Sequence, residues 1–111
     1  MQPGDIFWAA VPVGRPPNLE PHPAIFFKAL DDGIVIFGGT SLVHPNERLL
    51  HTVDFSQSCY RTLHFRGINR PTYFYYRFFQ PIPIGQIRSG VLDTVELEDF
   101  DELLRAVGLL G

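Results

Sequence analysis

PHPAIFFKALDDGIVIFGGTS, residues 21–41, decides how the fold is read. Ala24 to Phe27 is a short apolar run. Ile34 to Phe37 is a second, rich in the β-branched and aromatic side chains that suit a pleated surface. Between them Asp32-Gly33 is a turn signal, because glycine accepts the positive φ that tight hairpin turns need. Antiparallel pairing across an Asp31–Gly33 turn brings the start of one strand beside the end of the other. His22 and Thr40-Ser41 are therefore expected at one end of the sheet, where polar side chains can meet. The simpler alternative makes His22 an edge residue and Thr40-Ser41 the start of a loop.

Toward the N-terminus, GDIFWAA (Gly4 to Ala10) is predicted as the first strand, apolar on both faces as in a small closed barrel or a sandwich. Pro12 to Pro23 is predicted as a loop. It carries five prolines, and proline removes donors and fixes φ, so the segment cannot be a central strand. Downstream, Pro45-Asn46 marks a turn. Leu49 to Phe55 is a candidate short strand, with His51 and Asp54 at its polar positions. Cys59 to Phe65 alternates weakly and is a candidate strand as well. Arg66 to Pro71 (RGINRP) is a turn-rich loop with two arginines. Thr72 to Phe79 (TYFYYRFF) is the strongest β signal, which Pro81 and Pro83 are expected to end. Ile84 to Val91 (IGQIRSGV) is predicted as the last strand, with Gly85 and Gly90 at bends or bulges.

The C-terminus changes period. Phe100, Leu103, Leu104 and Val107 fall at i, i+3, i+4 and i+7, one stripe of a helix over 99–107. Asp99 is read as its N-cap, with Glu102 completing a capping box. Arg105 complements the negative end of the helix dipole, and Gly108 supplies the stop.

A chain of 111 residues supports one domain and buries about two-thirds of its unfolded surface, enough for a core without disulfides. Cys59 is the only cysteine, so no intramolecular disulfide forms, which fits a reducing compartment. Neither a basic-then-apolar leader nor an apolar run of transmembrane length is found, so a cytoplasmic protein with no membrane partner is expected. The net charge of −3 hides an asymmetry. Six of the twelve acids lie at or after Asp93, which leaves residues 1–92 slightly basic, and five arginines fall between Arg48 and Arg77. A locally basic surface on a mildly acidic protein attracts phosphate, although an ordinary mixed surface has the same composition.

Short strands at close spacing followed by one helix point to a small, strongly bent antiparallel sheet or barrel. GDIFWA, the proline-rich loop, HPAIFF, GIVIFGGTS, RPTYFYYRFF and IGQIRSGVL, in that order before a terminal helix, resemble the PemK/MazF-like toxin family. The resemblance runs over most of the chain and is strongest at 4–41 and 70–107. It implies an SH3-like antiparallel barrel with one C-terminal α-helix, a homodimer, and an endoribonuclease that cleaves single-stranded RNA without metal. A cognate antitoxin is implied as the second partner. Gly4, Asp5 and Ile6 match the family's structural opening, and Thr40 matches the catalytic threonine that ends its third strand. The family's catalytic arginine precedes a proline that matches Pro23, and His22 stands in its place.

RNA cleavage through the 2′-hydroxyl needs a base, an acid and donors to the charged phosphorane. His22 is a candidate base or acid, with Thr40 and Ser41 as candidate donors to phosphate oxygens. Arg66 or Arg70 is a candidate cation. Tyr73, Tyr75 or Tyr76 is a candidate for stacking on unpaired bases, against the alternative of plain sheet packing. Alternation over TYFYYRFF sets Tyr73, Tyr75 and Arg77 on an exposed face, opposite a core face of Phe74, Tyr76 and Phe78. His44, His51, His64 and Asp54 match no standard zinc spacing, and no metal or other cofactor is expected. Cys59 reads as a small structural cysteine, since a pairing with His51 or His64 has no support in spacing alone.

Overall fold

The structure, a computed structural model, describes residues 1–13 and 18–110, with backbone alone at 12, 13, 18 and 19. Six strands form one antiparallel sheet: β1 (Asp5–Val13), β2 (Asn18–Ala29), β3 (Gly33–Thr40), β4 (Leu49–Asp54), β5 (Pro71–Pro83) and β6 (Asp93–Thr94). Two helices accompany them, α1 (Arg61–Phe65) and α2 (Leu97–Ala106). The strand order is β4-β5-β3-β2-β1-β6. The chain is mainly β, and the expected small antiparallel barrel with a C-terminal helix is present as a curled half-barrel.

The hairpin of residues 21–41 forms as expected, pairing Ala24↔Gly38 through Ala29↔Ile34 with a bulge between Phe26 and Lys28. Its glycine has a different task from the expected one. Positive φ occurs at Gly4, Gly67 and Gly108 and not at Gly33. Instead, a Cβ at Gly33 would run into the Ile82 carbonyl oxygen, so close approach of β5 demands glycine there.

The predicted loop Pro12–Pro23 is corrected. Its residues 14–17 lie outside the described residues, but Asn18 to Pro23 is strand, paired with β1 through Ala10↔Pro21, Ala9↔His22 and Trp8↔Pro23. Pro21 and Pro23 have no N–H to donate, and Trp8, opposite Pro23, spends its N–H on Ser89 Oγ and its carbonyl on Arg88 N, so the ladder is bonded here at the Ala9↔His22 pair. The hydrogen bond from Gly4 N to Phe26 O, at 2.9 Å, has the same even-numbered phase. The Pro21 and Pro23 nitrogens therefore face the other edge, where β3 would continue. That edge has no donors to offer, and β2 and β3 part after Ala24↔Gly38.

Both faces of the sheet are packed. Phe37, Val53, Phe74 and Ile25 meet Tyr60, Leu63, Ile68 and Leu103, so α1 and α2 cover this face. On the other face Phe7, Ala9, Ala24, Ile36, Tyr75 and Phe78 form a cluster to which no helix contributes. Phe7, Ala9, Ala24 and Ile36 are nevertheless 0% exposed, so the sheet covers this face by curling over it.

Other sequence expectations are corrected by long-range contacts. Cys59–Phe65 is a 3₁₀ turn followed by α1, because Tyr60 and Leu63 bury one helical face. Ile84–Val91 is a 3₁₀ turn followed by irregular chain, and its β-pairing with the sheet is the isolated bridge Ala9↔Ile87. The last strand is instead β6, at the β1 edge of the sheet. β5 runs through Pro81 and Pro83, since β3 is its only neighbour there. The helix expected at 99–107 is α2, and it ends in the expected glycine stop: Gly108 N donates to Arg105 O and Leu109 N to Leu104 O. Asp99 is not its N-cap. That position is Glu96, and the Asp99 carboxylate instead accepts from His51 Nε2 at 2.7 Å and Tyr60 Oη at 2.9 Å. This clamps α2 to β4 and to the 3₁₀ turn.

Gly39 sits at a register shift in β3, where an added Cβ would meet the Thr72 methyl at 2.5 Å and the Phe74 ring at 2.9 Å. Gly39→Ala is expected to destabilise the protein by about 1–3 kcal/mol through overpacking. Gly85→Ala, with open space around it, is the matched control and should move the urea midpoint little.

Candidate functional site

Where β2 and β3 part, a cleft of about 210 Å³ opens, lined by Trp8, Pro21, His22, Pro23, Ser41, Gly67, Ile68, Arg70 and Thr72. Three of the sequence candidates, His22, Ser41 and Arg70, thus come together from separate parts of the chain. His22 and Thr40 each lie two residues past the last β2–β3 pair, as the hairpin register required. Thr40 does not line the cleft. It is buried, and its Oγ1 accepts from Leu42 N at 3.2 Å, which shapes the turn that presents the exposed Ser41.

His22 is anchored by its pairing with Ala9. Its Nε2 is buried without a hydrogen bond, and Glu20 Oε2 is 3.7 Å away, beyond hydrogen-bond reach. Burial holds the imidazole below the usual histidine range, and the Glu20 carboxylate opposes this less strongly. The neutral form is therefore favoured near pH 7.

Arg70 is positioned by the end of α1. Gly67 takes φ +85°, Gly67 N donates to His64 O and Ile68 N to Leu63 O. This glycine-terminated helix end drives Ile68 into the core and holds the following Asn69-Arg70 at the surface. No carboxylate lines the cleft, and among the described residues the ion pairs do not include Arg61, Arg66 or Arg70. A guanidinium in no ion pair, lining the same cleft as a serine, suits an anion such as phosphate.

The remaining candidates lie elsewhere. Arg66 is exposed on the rim loop, one residue before Gly67. The expected exposed row of Tyr73, Tyr75 and Arg77 is corrected. Between Gly39↔Phe74 and Phe37↔Phe79, β5 carries three more residues than β3, so its alternation breaks. Tyr75 is buried and its hydroxyl accepts from His44 N at 2.7 Å, so its ring is closed to a base. Tyr73 is half-buried and Tyr76 is the exposed ring, while Arg77 is exposed as expected and pairs with Glu47 at 3.2 Å.

Cys59 is exposed rather than a packed structural cysteine. His51 is engaged by Asp99, and His64 Nε2 donates to Phe55 O at 2.9 Å. Among the described residues no group of three His, Cys, Asp or Glu is arranged to hold a metal, and no helix is long and apolar enough to cross a membrane.

Sequence reasoning missed Trp8 and Thr72, which read as ordinary strand residues. The available signal was the register: Trp8 pairs with Pro23, one position from His22. Comparison with protein-family models, curated proteins and solved structures finds no match to this chain.

A histidine whose folded value is lowered binds fewer protons in the native state than in the unfolded one. Its stabilisation is complete above the unfolded value of about 6.5 and is lost as pH falls from there toward the folded value. Urea unfolding between pH 7.5 and 5 is expected to show a larger loss of stability on acidification for wild type than for His22→Gln. Parallel profiles would contradict the burial of a neutral His22.

Proposed function

We propose that the protein is a toxin-like endoribonuclease that cleaves single-stranded RNA without metal in the cleft at His22, Ser41 and Arg70. One observation carries the reading: these three side chains, chosen for the chemistry of RNA cleavage, line one cleft, and its arginine is in no ion pair among the described residues. In the proposed reaction a ribose 2′-oxygen attacks the adjacent phosphorus, and the bond from phosphorus to the next nucleotide's 5′-oxygen breaks. A 2′,3′-cyclic phosphate and a 5′-hydroxyl result. The nucleophile belongs to the substrate, so the reaction has no need of a metal-activated water.

In this scheme His22, neutral near pH 7, takes the 2′-proton. Arg70 and the Ser41 hydroxyl hold the charge on the phosphorane, and water protonates the leaving 5′-oxygen. Thr40 acts through the turn that carries Ser41, as a positioning residue. Arg66 extends the phosphate-binding surface along the rim. Membership of the PemK/MazF-like family, a homodimer and a cognate antitoxin belong to the same proposal. Exposed Leu42, Val43, Leu49 and Tyr76, grouped about the β3–β4 connection, support a protein interface apart from the cleft.

The second reading is a noncatalytic SH3-like barrel module that binds protein or nucleic acid. The burial of Thr40 and of the His22 Nε2 favours it, because chemistry needs such atoms within reach of substrate.

Purified protein in EDTA is expected to cut a single-stranded RNA to products ending in cyclic phosphate. His22→Ala and Arg70→Ala, once shown to be folded, should each lower the rate by about 10²-fold or more. Binding without cleavage by wild type would select the noncatalytic module. In sedimentation at tens of micromolar, a dimer is expected, and monomer alone would count against the interface.

A further inference from the structure

Phe65, the last residue of α1, has 90% of its surface exposed, the highest value among the exposed large apolar residues. Its neighbours along the chain offer no apolar surface to join it. The adjacent apolar residues Leu63 and Ile68 are buried, while Arg61, Thr62, His64, Arg66, Asn69 and Arg70 are exposed. A protein partner docks on contiguous apolar surface. An exposed ring flanked along the chain by exposed arginines instead matches a nucleic acid, which offers a flat π-face and a phosphate together.

Charge supports the same occupant. Between Asp54 and Asp93 the chain has five arginines and neither Asp nor Glu. Among the described residues Arg61, Arg66 and Arg70 are in no ion pair. Phe65 also lies beside the cleft: Gly67, two residues on, is part of its lining, so the two α-carbons are at most about 7.6 Å apart. The backbone of Phe65 belongs to the same glycine-terminated helix end that leads into Arg70.

We propose that Phe65 is a base-stacking platform, on which a nucleobase of single-stranded RNA rests while the cleft holds a neighbouring phosphate. This inference rests on the reading of the cleft as an RNA site. Stacking of this kind tolerates any base, so Phe65 contributes affinity and strand placement rather than sequence choice.

The test is fluorescence anisotropy at low salt with two probes, a short oligouridylate and an abasic oligomer of the same length. Wild type, Phe65→Ala, Phe65→Trp and Arg70→Ala are compared after circular dichroism shows them folded. Phe65→Ala is expected to bind oligouridylate about 5- to 150-fold more weakly, the size of one lost base–ring stack. Phe65→Trp should restore binding, and the abasic oligomer should bind wild type and Phe65→Ala equally. If Phe65→Ala holds oligouridylate as tightly as wild type while Arg70→Ala does not, the platform is overturned and the cleft stands. Equal weakening of both probes by Phe65→Ala also overturns it, because stacking requires a base. A change in oligomeric state with RNA binding intact makes Phe65 a protein contact, against the proposal. If wild type binds neither probe, the cleft reading and the platform fall together.

Discussion

Two missing amide hydrogens shape this molecule. Pro21 and Pro23 alternate with His22 along β2, so both nitrogens lie on one edge of the strand, the edge toward β3. A neighbour running along that edge would meet carbonyl groups without the donors that complete a ladder. β3 therefore leaves β2 after Gly38 and turns at Thr40, while β2 stays on β1. The gap is a direct result of proline chemistry, and the cleft occupies it. A sheet that kept its pairing there would have no recess to bring His22, Ser41 and Arg70 together.

The walls of the recess are fixed by separate anchors. Trp8 is tied on its outer edge, where its N–H donates to Ser89 Oγ and its carbonyl accepts from Arg88 N, both at 2.8 Å. Ser41 follows the turn closed by the Thr40 hydroxyl. Arg70 follows Ile68, a core residue held by the end of α1. On the same face the clamp of Asp99 on His51 and Tyr60 holds α2 against the sheet. Burial pushes the Tyr60 phenol pKa up, so Tyr60 stays a donor throughout the physiological range. The backbone of each wall is thus tied by hydrogen bonds or core packing, which suits a site that must hold phosphate with little reorganisation.

Elements with a strong local pattern were legible in the sequence. The hairpin follows from two apolar runs around a turn signal, the first strand from a run apolar on both faces and α2 from a helical stripe, and the hairpin register alone brought His22 and Thr40 to one end. What escaped was set by contacts distant in sequence. The five-residue α1 is too short to show a period, and Tyr60 and Leu63 gain their meaning from the core they enter. The three extra residues of β5 reverse the facing of Tyr75 and Tyr76, and no local pattern announces a bulge. Asp99 looked like a cap because its position fits one, yet its partners lie 48 and 39 residues away. The Pro12–Pro23 segment was rightly kept out of a doubly paired strand, but a strand with one free edge tolerates prolines whose nitrogens face that edge.

Trp8 is the only tryptophan and lines the cleft, so its emission reports on this place alone. Titration of a single-stranded RNA at low salt, followed by Trp8 fluorescence, is the direct test of the cleft as the RNA site. The expected result is a saturable change that weakens as salt rises and disappears in Arg70→Ala. RNA that binds by an independent measure and leaves Trp8 emission unchanged, or that binds Arg70→Ala as tightly as wild type, would contradict it.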